Sequence, residues 1–80
     1  MPRLPQVSGS DVVRLLHSLG YETVRQRGSH IRLRKMTPVG EHNITIPAHK
    51  SVAKGTLNDI LSHVSLWNGI PKDELIKRLS

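Results

Sequence analysis

Twelve Lys and Arg against six Asp and Glu give the 80-residue chain a formal net charge of +6, with no cysteine. That length allows one modest core, and without disulfides its stability must come from packing alone, in keeping with a reducing cytoplasm. No apolar run approaches the ~20 residues of a membrane span and the N-terminus has no signal-peptide core, so one cytoplasmic domain over residues 1–80 is expected, with no membrane partner.

Met1 to Val7 carries two prolines and no periodicity, which predicts an extended lead-in. Ser8-Gly9-Ser10-Asp11 supplies hydroxyls for a cap and an acid for a first turn. Val12, Leu15, Leu16 and Leu19 follow at helical spacing, and Gly20 is a C-terminal stop. Tyr21 to Gln26 leans to strand, Gly28-Ser29 is a turn pair, and a second strand runs from His30 to about Lys35.

A loop with Pro38 and Gly40 leads to a third strand, His42 to Ile46, which Pro47 ends. After the polar, basic stretch Ala48 to Lys54, the segment Gly55-Thr56-Leu57-Asn58-Asp59 opens a second helix, with Thr56 and Asp59 at capping-box spacing. Its apolar stripe is Leu57, Ile60, Leu61 and Val64. Asn68-Gly69 is a turn, and Pro71 suits the first position of a short last helix docked by Ile70, Leu75, Ile76 and Leu79. The fold class is therefore α+β: α-β-β-β-α, an antiparallel three-stranded sheet with helices on one face and a short C-terminal helix.

In His30-Ile31-Arg32-Leu33-Arg34, period-two alternation sends Ile31 and Leu33 to the core. His30, Arg32 and Arg34 then share the outer, wet face of the sheet. An imidazole, with an ordinary pKa of about 6.5, exchanges protons near neutrality. Guanidiniums bind phosphate in a forked geometry. Together they point to acid–base chemistry on a nucleic acid backbone. Tyr21 and Trp67 are the only aromatics, too few for base-stacking platforms, which leaves recognition by charge.

The histidines at 17, 30, 42, 49 and 63 lack zinc-motif spacing, and the six acids are scattered, so neither a metal site nor a cofactor is expected. His17 and His63 read as surface residues, and His42 has no evident partner. Trp67 reads as a core or edge-packing residue. Ser29 and His30 do not form a nucleophilic pair, because neighbours on a strand point to opposite faces.

Arg25-Gln26-Arg27-Gly28-Ser29-His30, Ile44-Thr45-Ile46-Pro47-Ala48-His49 and Lys54-Gly55-Thr56-Leu57 with Ile60-Leu61 resemble, in that order, the motifs of the HicA toxins. These are small messenger-RNA-cleaving proteins of toxin–antitoxin pairs. The opening Met1-Pro2-Arg3-Leu4-Pro5 with Ser8-Gly9 is also similar to members of this family. The resemblance implies a double-stranded-RNA-binding-domain-like fold, a catalytic histidine after the Gly-Ser pair (here His30), and ribosome-independent RNA cleavage. It also implies neutralisation by a HicB-like antitoxin that covers the site. Where many members carry further histidines on that strand, this chain has Arg32 and Arg34.

The expected mechanism is metal-independent cleavage of messenger RNA through attack of the 2′-hydroxyl on its own phosphate. His30 moves the proton, taken first as general base. Arg32, Arg34 and Lys35 hold phosphate, and His49 or Lys50 stands as a second site group. Arg25, Arg27, Ser29 and Lys54 complete the expected RNA-binding set. The toxin is expected to be a monomer when free and part of a larger complex with its antitoxin. Two alternatives stand beside this reading: a non-catalytic double-stranded-RNA-binding module, and a basic protein-interaction domain.

Overall fold

A computed structural model describes residues 3–79. The elements are α1 (Gly9–Ser18), β1 (Glu22–Arg27), β2 (His30–Thr37), β3 (Gly40–Pro47), α2 (Lys54–Asn68) and α3 (Lys72–Leu79). The three strands form one antiparallel sheet in the order β1-β2-β3. This is the expected α+β arrangement, α-β-β-β-α in the manner of a double-stranded-RNA-binding domain, with α3 appended.

Helix α1 starts where its cap chemistry dictates. Ser8 Oγ accepts from the Asp11 amide at 3.1 Å, and the Asp11 carboxylate accepts from the Ser8 amide at 3.0 Å, a reciprocal capping box. These hydrogen bonds hold the Asp11 carboxyl below the usual carboxylate range. The next residue after the cap, Gly9, lies against the end of β3. A Cβ built there would penetrate the Pro47 carbonyl oxygen and lie 3.1 Å from Ala48 Cα, and the Gly9 amide donates to His49 O at 2.9 Å. Only glycine permits that approach.

The Gly28-Ser29 turn joins β1 to β2, and Gly28 supplies the left-handed backbone at φ +58°. The second hairpin is tighter than the expected loop: β2 runs on to Thr37 and β3 begins at Gly40, leaving Pro38-Val39 as the turn. Thr37 Oγ1 closes it, accepting from the Val39 amide at 3.2 Å and donating to Gly40 O at 2.7 Å. Helix α2 departs from expectation at its start. It begins at Lys54 with Ala53 as an N-cap that offers no side chain, and the Thr56–Asp59 capping box does not form. The entry is set by the backbone instead: Val52 is buried and its amide donates to Val7 O at 2.8 Å. Leu57 N already bonds Ala53 O at 2.9 Å, so the helical ladder is under way before Thr56 could cap it. Gly69, at φ +64°, ends α2, and Pro71 stands one residue before α3 rather than inside it.

The core lies between the inner sheet face and the helices. Leu16 of α1, Leu33 of β2, Leu57 and Leu61 of α2 and Leu75 of α3 are fully buried, each worth roughly 1.5–3 kcal/mol relative to exposure. Ile31, Ile46, Val12 and Val64 complete the contact between layers.

His42, expected to lack a partner, is buried at the end of this core. Its ring stacks on Trp67 with centroids 4.9 Å apart and 7° between planes, and its Nδ1 lies 2.5 Å from the Tyr21 hydroxyl. The proton order follows from the donors. Lys35 Nζ donates to Asn68 Oδ1 at 2.6 Å, which turns the Asn68 amide nitrogen toward Tyr21 Oη at 2.9 Å and Val64 O at 2.8 Å. With its oxygen accepting from Asn68, the phenol has its own proton to offer to Nδ1, an arrangement that favours the neutral ring of His42. Burial pushes the His42 pKa down, and His63 pushes it the same way; burial pushes Tyr21 up. The partners of His42 come from α2, distant in sequence, and a local reading cannot see them.

Two outcomes follow for stability. Gly9→Ala should destabilise the fold by about 1–3 kcal/mol, because the new methyl meets backbone that cannot swing away; denaturant unfolding measures it. For His42, the folded chain stays neutral where the unfolded chain takes up a proton. Stability should therefore fall as pH drops below about 6.5, the unfolded value, and level off for this group below its depressed folded value. Urea midpoints between pH 7.5 and 5 should show this slope, and His42→Gln should flatten it.

Candidate nucleic-acid interface

The register of the sheet defines what shares its outer face. Strand β2 alternates cleanly: Ile31, Leu33 and Thr37 are buried, while His30, Arg32, Arg34 and Met36 are exposed. Arg27 pairs with His30 and His30 with Pro47; Arg25 pairs with Arg32 and Arg32 with Thr45; Glu22 pairs with Arg34 and Arg34 with Asn43. Directly opposed residues of an antiparallel pair point to the same side, so these form three successive rows across the outer face.

Arg25, Arg27, His30, Arg32 and Thr45 line a shallow depression of about 290 Å³. None of Arg25, Arg27, His30 or Arg32 makes a side-chain hydrogen bond or ion pair with another described residue. One of these pairings is unfavourable in itself. Arg25 stands opposite Arg32, and like charges facing each other across strands destabilise a sheet. A fold that keeps several unpaired donors together in one hollow has a site suited to an anion, and guanidiniums are suited to phosphate. The exposed imidazole at its edge can exchange protons with water and with a bound substrate alike.

The other expected site residues fall in different places. Arg34 is on the outer face but its Nη2 is 3.1 Å from the Glu22 carboxylate. Lys35 does not join the arginines: it follows the inner phase of β2, and its ammonium is held by Asn68 and lies 5.7 Å from the Tyr21 ring centroid. Ser29 is exposed in the turn beside His30, and its carbonyl accepts from Ala48 N at 2.7 Å. That bond ties the segment after β3 to the turn. His49 and Lys50 are exposed on this segment, and Lys54 is exposed at the first residue of α2; none of the three lines the depression.

Thr45 and Glu22 were not anticipated as parts of this face. Thr45 was legible from strand alternation. Glu22 was not, because a bulge between Thr23 and Arg25 resets its phase. Among the described residues no three His, Cys, Asp or Glu side chains converge as a metal site, and no helix is long and apolar enough to cross a membrane.

The sequence matches the family model described as HicA toxin of bacterial toxin–antitoxin over residues 9–66, more than half of the chain. Neither curated proteins nor solved structures yield a match. The matched span runs from the glycine wedged against β3, through the whole sheet, into the last turn of α2. The chain belongs to the HicA toxin family of bacterial toxin–antitoxin systems.

Proposed function

We propose that this toxin is an endoribonuclease that cleaves messenger RNA in the cytoplasm without a metal, with His30 as its catalytic residue. The observation that carries the reading is the hollow itself: one exposed histidine with three arginines around it that no described residue pairs, Arg25 and Arg32 opposed at like-charge cost. RNA brings its own nucleophile. The 2′-oxygen bonds to the adjacent phosphorus as the bond from phosphorus to the 5′-oxygen breaks, leaving a 2′,3′-cyclic phosphate and a 5′-hydroxyl. One proton must leave the 2′-hydroxyl and one must reach the departing 5′-oxygen. His30 performs the first transfer as general base.

Arg25, Arg27 and Arg32 hold the phosphate and stabilise the charge that builds on its oxygens. His49 or Lys50, on the segment tied to the turn through Ser29, supplies the second group, and Lys54 extends phosphate contact beyond the hollow. Lys35 has no part, since its ammonium belongs to the inner face. The antitoxin is a HicB-like acidic protein that covers the hollow, and the free toxin is a monomer.

His30→Ala should fold with stability within about 0.5 kcal/mol of the parent, because its side chain is exposed. Its cleavage rate should fall by about 10²–10⁴ while RNA affinity is largely kept. The parent should cut RNA in excess chelator and leave the all-deoxy analogue intact. Time courses on the two proteins decide it: parental cleavage by His30→Ala, or loss of cleavage in chelator, would remove the mechanism.

The antitoxin can be tested by histidine modification with diethyl pyrocarbonate, mapped by peptide mass. His30 should react in the free toxin and be protected in the complex, while His17 on α1 should react in both. Equal reaction of His30 in both states would refute masking of the site.

A further inference from the structure

The outer face of the sheet is electrically divided. Rows two residues apart along a strand are separated by roughly 7 Å. The rows of His30 and Arg32 carry three arginines with no partner among the described residues. The next row carries Arg34, but its guanidinium is 3.1 Å from the Glu22 carboxylate. The row after that holds Met36, 70% exposed, opposite Glu41, whose carboxylate accepts from Asn43 Nδ2 at 2.9 Å. A phosphate chain running along β2 thus meets two cationic rows, then a carboxylate that already occupies Arg34, then a second carboxylate beside an apolar side chain.

The carboxylate is there because of the bulge. Val24 is the extra residue in β1 between the pairs Thr23–Leu33 and Arg25–Arg32. In an unbulged ladder Thr23 would stand opposite Arg34, and Glu22 would turn to the inner face opposite Lys35. The bulge instead sends Glu22 outward and Thr23 inward, where its hydroxyl lies 2.9 Å from His17 Nε2 of α1.

We infer that Glu22 is a specificity-determining residue, which confines the RNA backbone to the His30 and Arg32 rows by holding Arg34 and repelling phosphate from the third row. The substrate class this selects is a flexible single strand that can turn away after a short contact. A duplex, whose rigid backbone would run on over Glu22 and Glu41, is disfavoured. The inference rests on the RNA-cleaving reading of the same face.

The test uses an uncleavable 2′-O-methyl RNA oligomer, single-stranded and as a duplex, with affinity followed against salt. In the single-strand series, Arg32→Ala should flatten the salt slope by about 0.7, the share of one phosphate contact, whereas Arg34→Ala should leave it unchanged. Glu22→Gln should tighten binding about two- to fivefold, the scale of an exposed ion pair, and steepen the slope by about 0.7. The gain should be larger on the duplex, and adding Arg34→Ala to Glu22→Gln should return the slope to the parent's. Circular dichroism melts confirm that the variants fold, as exposed substitutions should.

If Arg34→Ala costs as much as Arg32→Ala in the parent, or Glu22→Gln changes neither affinity nor slope, Glu22 sets no boundary and the inference is overturned. Those outcomes leave the nuclease reading standing, since parental binding and the Arg32 effect persist. A parent that binds neither RNA form, with Arg32→Ala indistinguishable from it, overturns both.

Discussion

In an antiparallel pair the residues directly opposite each other lean to the same side, so a two-residue turn commits the side chains of both strands as far as the first bulge. Gly28-Ser29 does this for β1 and β2. Once Arg27 faces His30, Arg25 must face Arg32, and the basic residues on either side of the turn can only gather on one surface. Shifting the register by one residue would send Ile31 and Leu33 to water and His30 into the core. Burial of Ile31 and Leu33 therefore holds the register from beneath, and the hollow above is its consequence. The segment after β3 is bound into the same arrangement, through Ala48 to the turn and through His49 O to Gly9.

The inner face solves a different electrostatic problem. Lys35 and His42 both point toward the helices, where an unpaired polar group costs about 1–3 kcal/mol. Their donors and acceptors close into one directed chain, Lys35 to Asn68 to Tyr21 to His42, with Trp67 stacked on the imidazole. No buried side-chain nitrogen or oxygen among the described residues lacks a partner. The outer face keeps Arg25, Arg27 and Arg32 wet and without a partner among the described residues, and the inner face keeps Lys35 and His42 paired. One sheet thus separates two environments less than a side chain apart along the same strand.

What could be read from the chain follows from which forces are local. Periods of 3.6 and 2 exposed the helix stripes, the three strands and the wet face bearing His30, Arg32 and Arg34, because those patterns sit in consecutive residues. The same alternation that placed Arg34 outside places Lys35 inside, so grouping Lys35 with the arginines followed its charge and missed its phase. The start of α1 was legible because hydroxyls and an acid lie together in Ser8-Gly9-Ser10-Asp11, while the reciprocal box that Ser8 and Asp11 form came from the structure. The start of α2 was not, because Val52 is pinned by Val7, a contact across the fold. Nor was the bulge: Glu22-Thr23-Val24-Arg25 has no glycine or proline to mark it, and its position depends on pairing with β2.

The two histidines of the sheet stand in opposite surroundings. His42 is held neutral by burial and by a phenol that gives it a proton to share; protonation would cost it both the hydrogen bond and its dry surroundings. Its contacts with Tyr21 and Trp67 belong to the packing of the core. His30 is exposed, bonded to no described side chain, and dispensable to the core. Its placement is fixed by backbone alone, through the turn and the ladder, so its ring keeps the freedom to meet a substrate. The opposed arginines beside it weaken the sheet slightly in isolation, and any anion that settles among them removes that repulsion. Under the proposed function, RNA and an acidic antitoxin would each gain from the same charge and would compete for it.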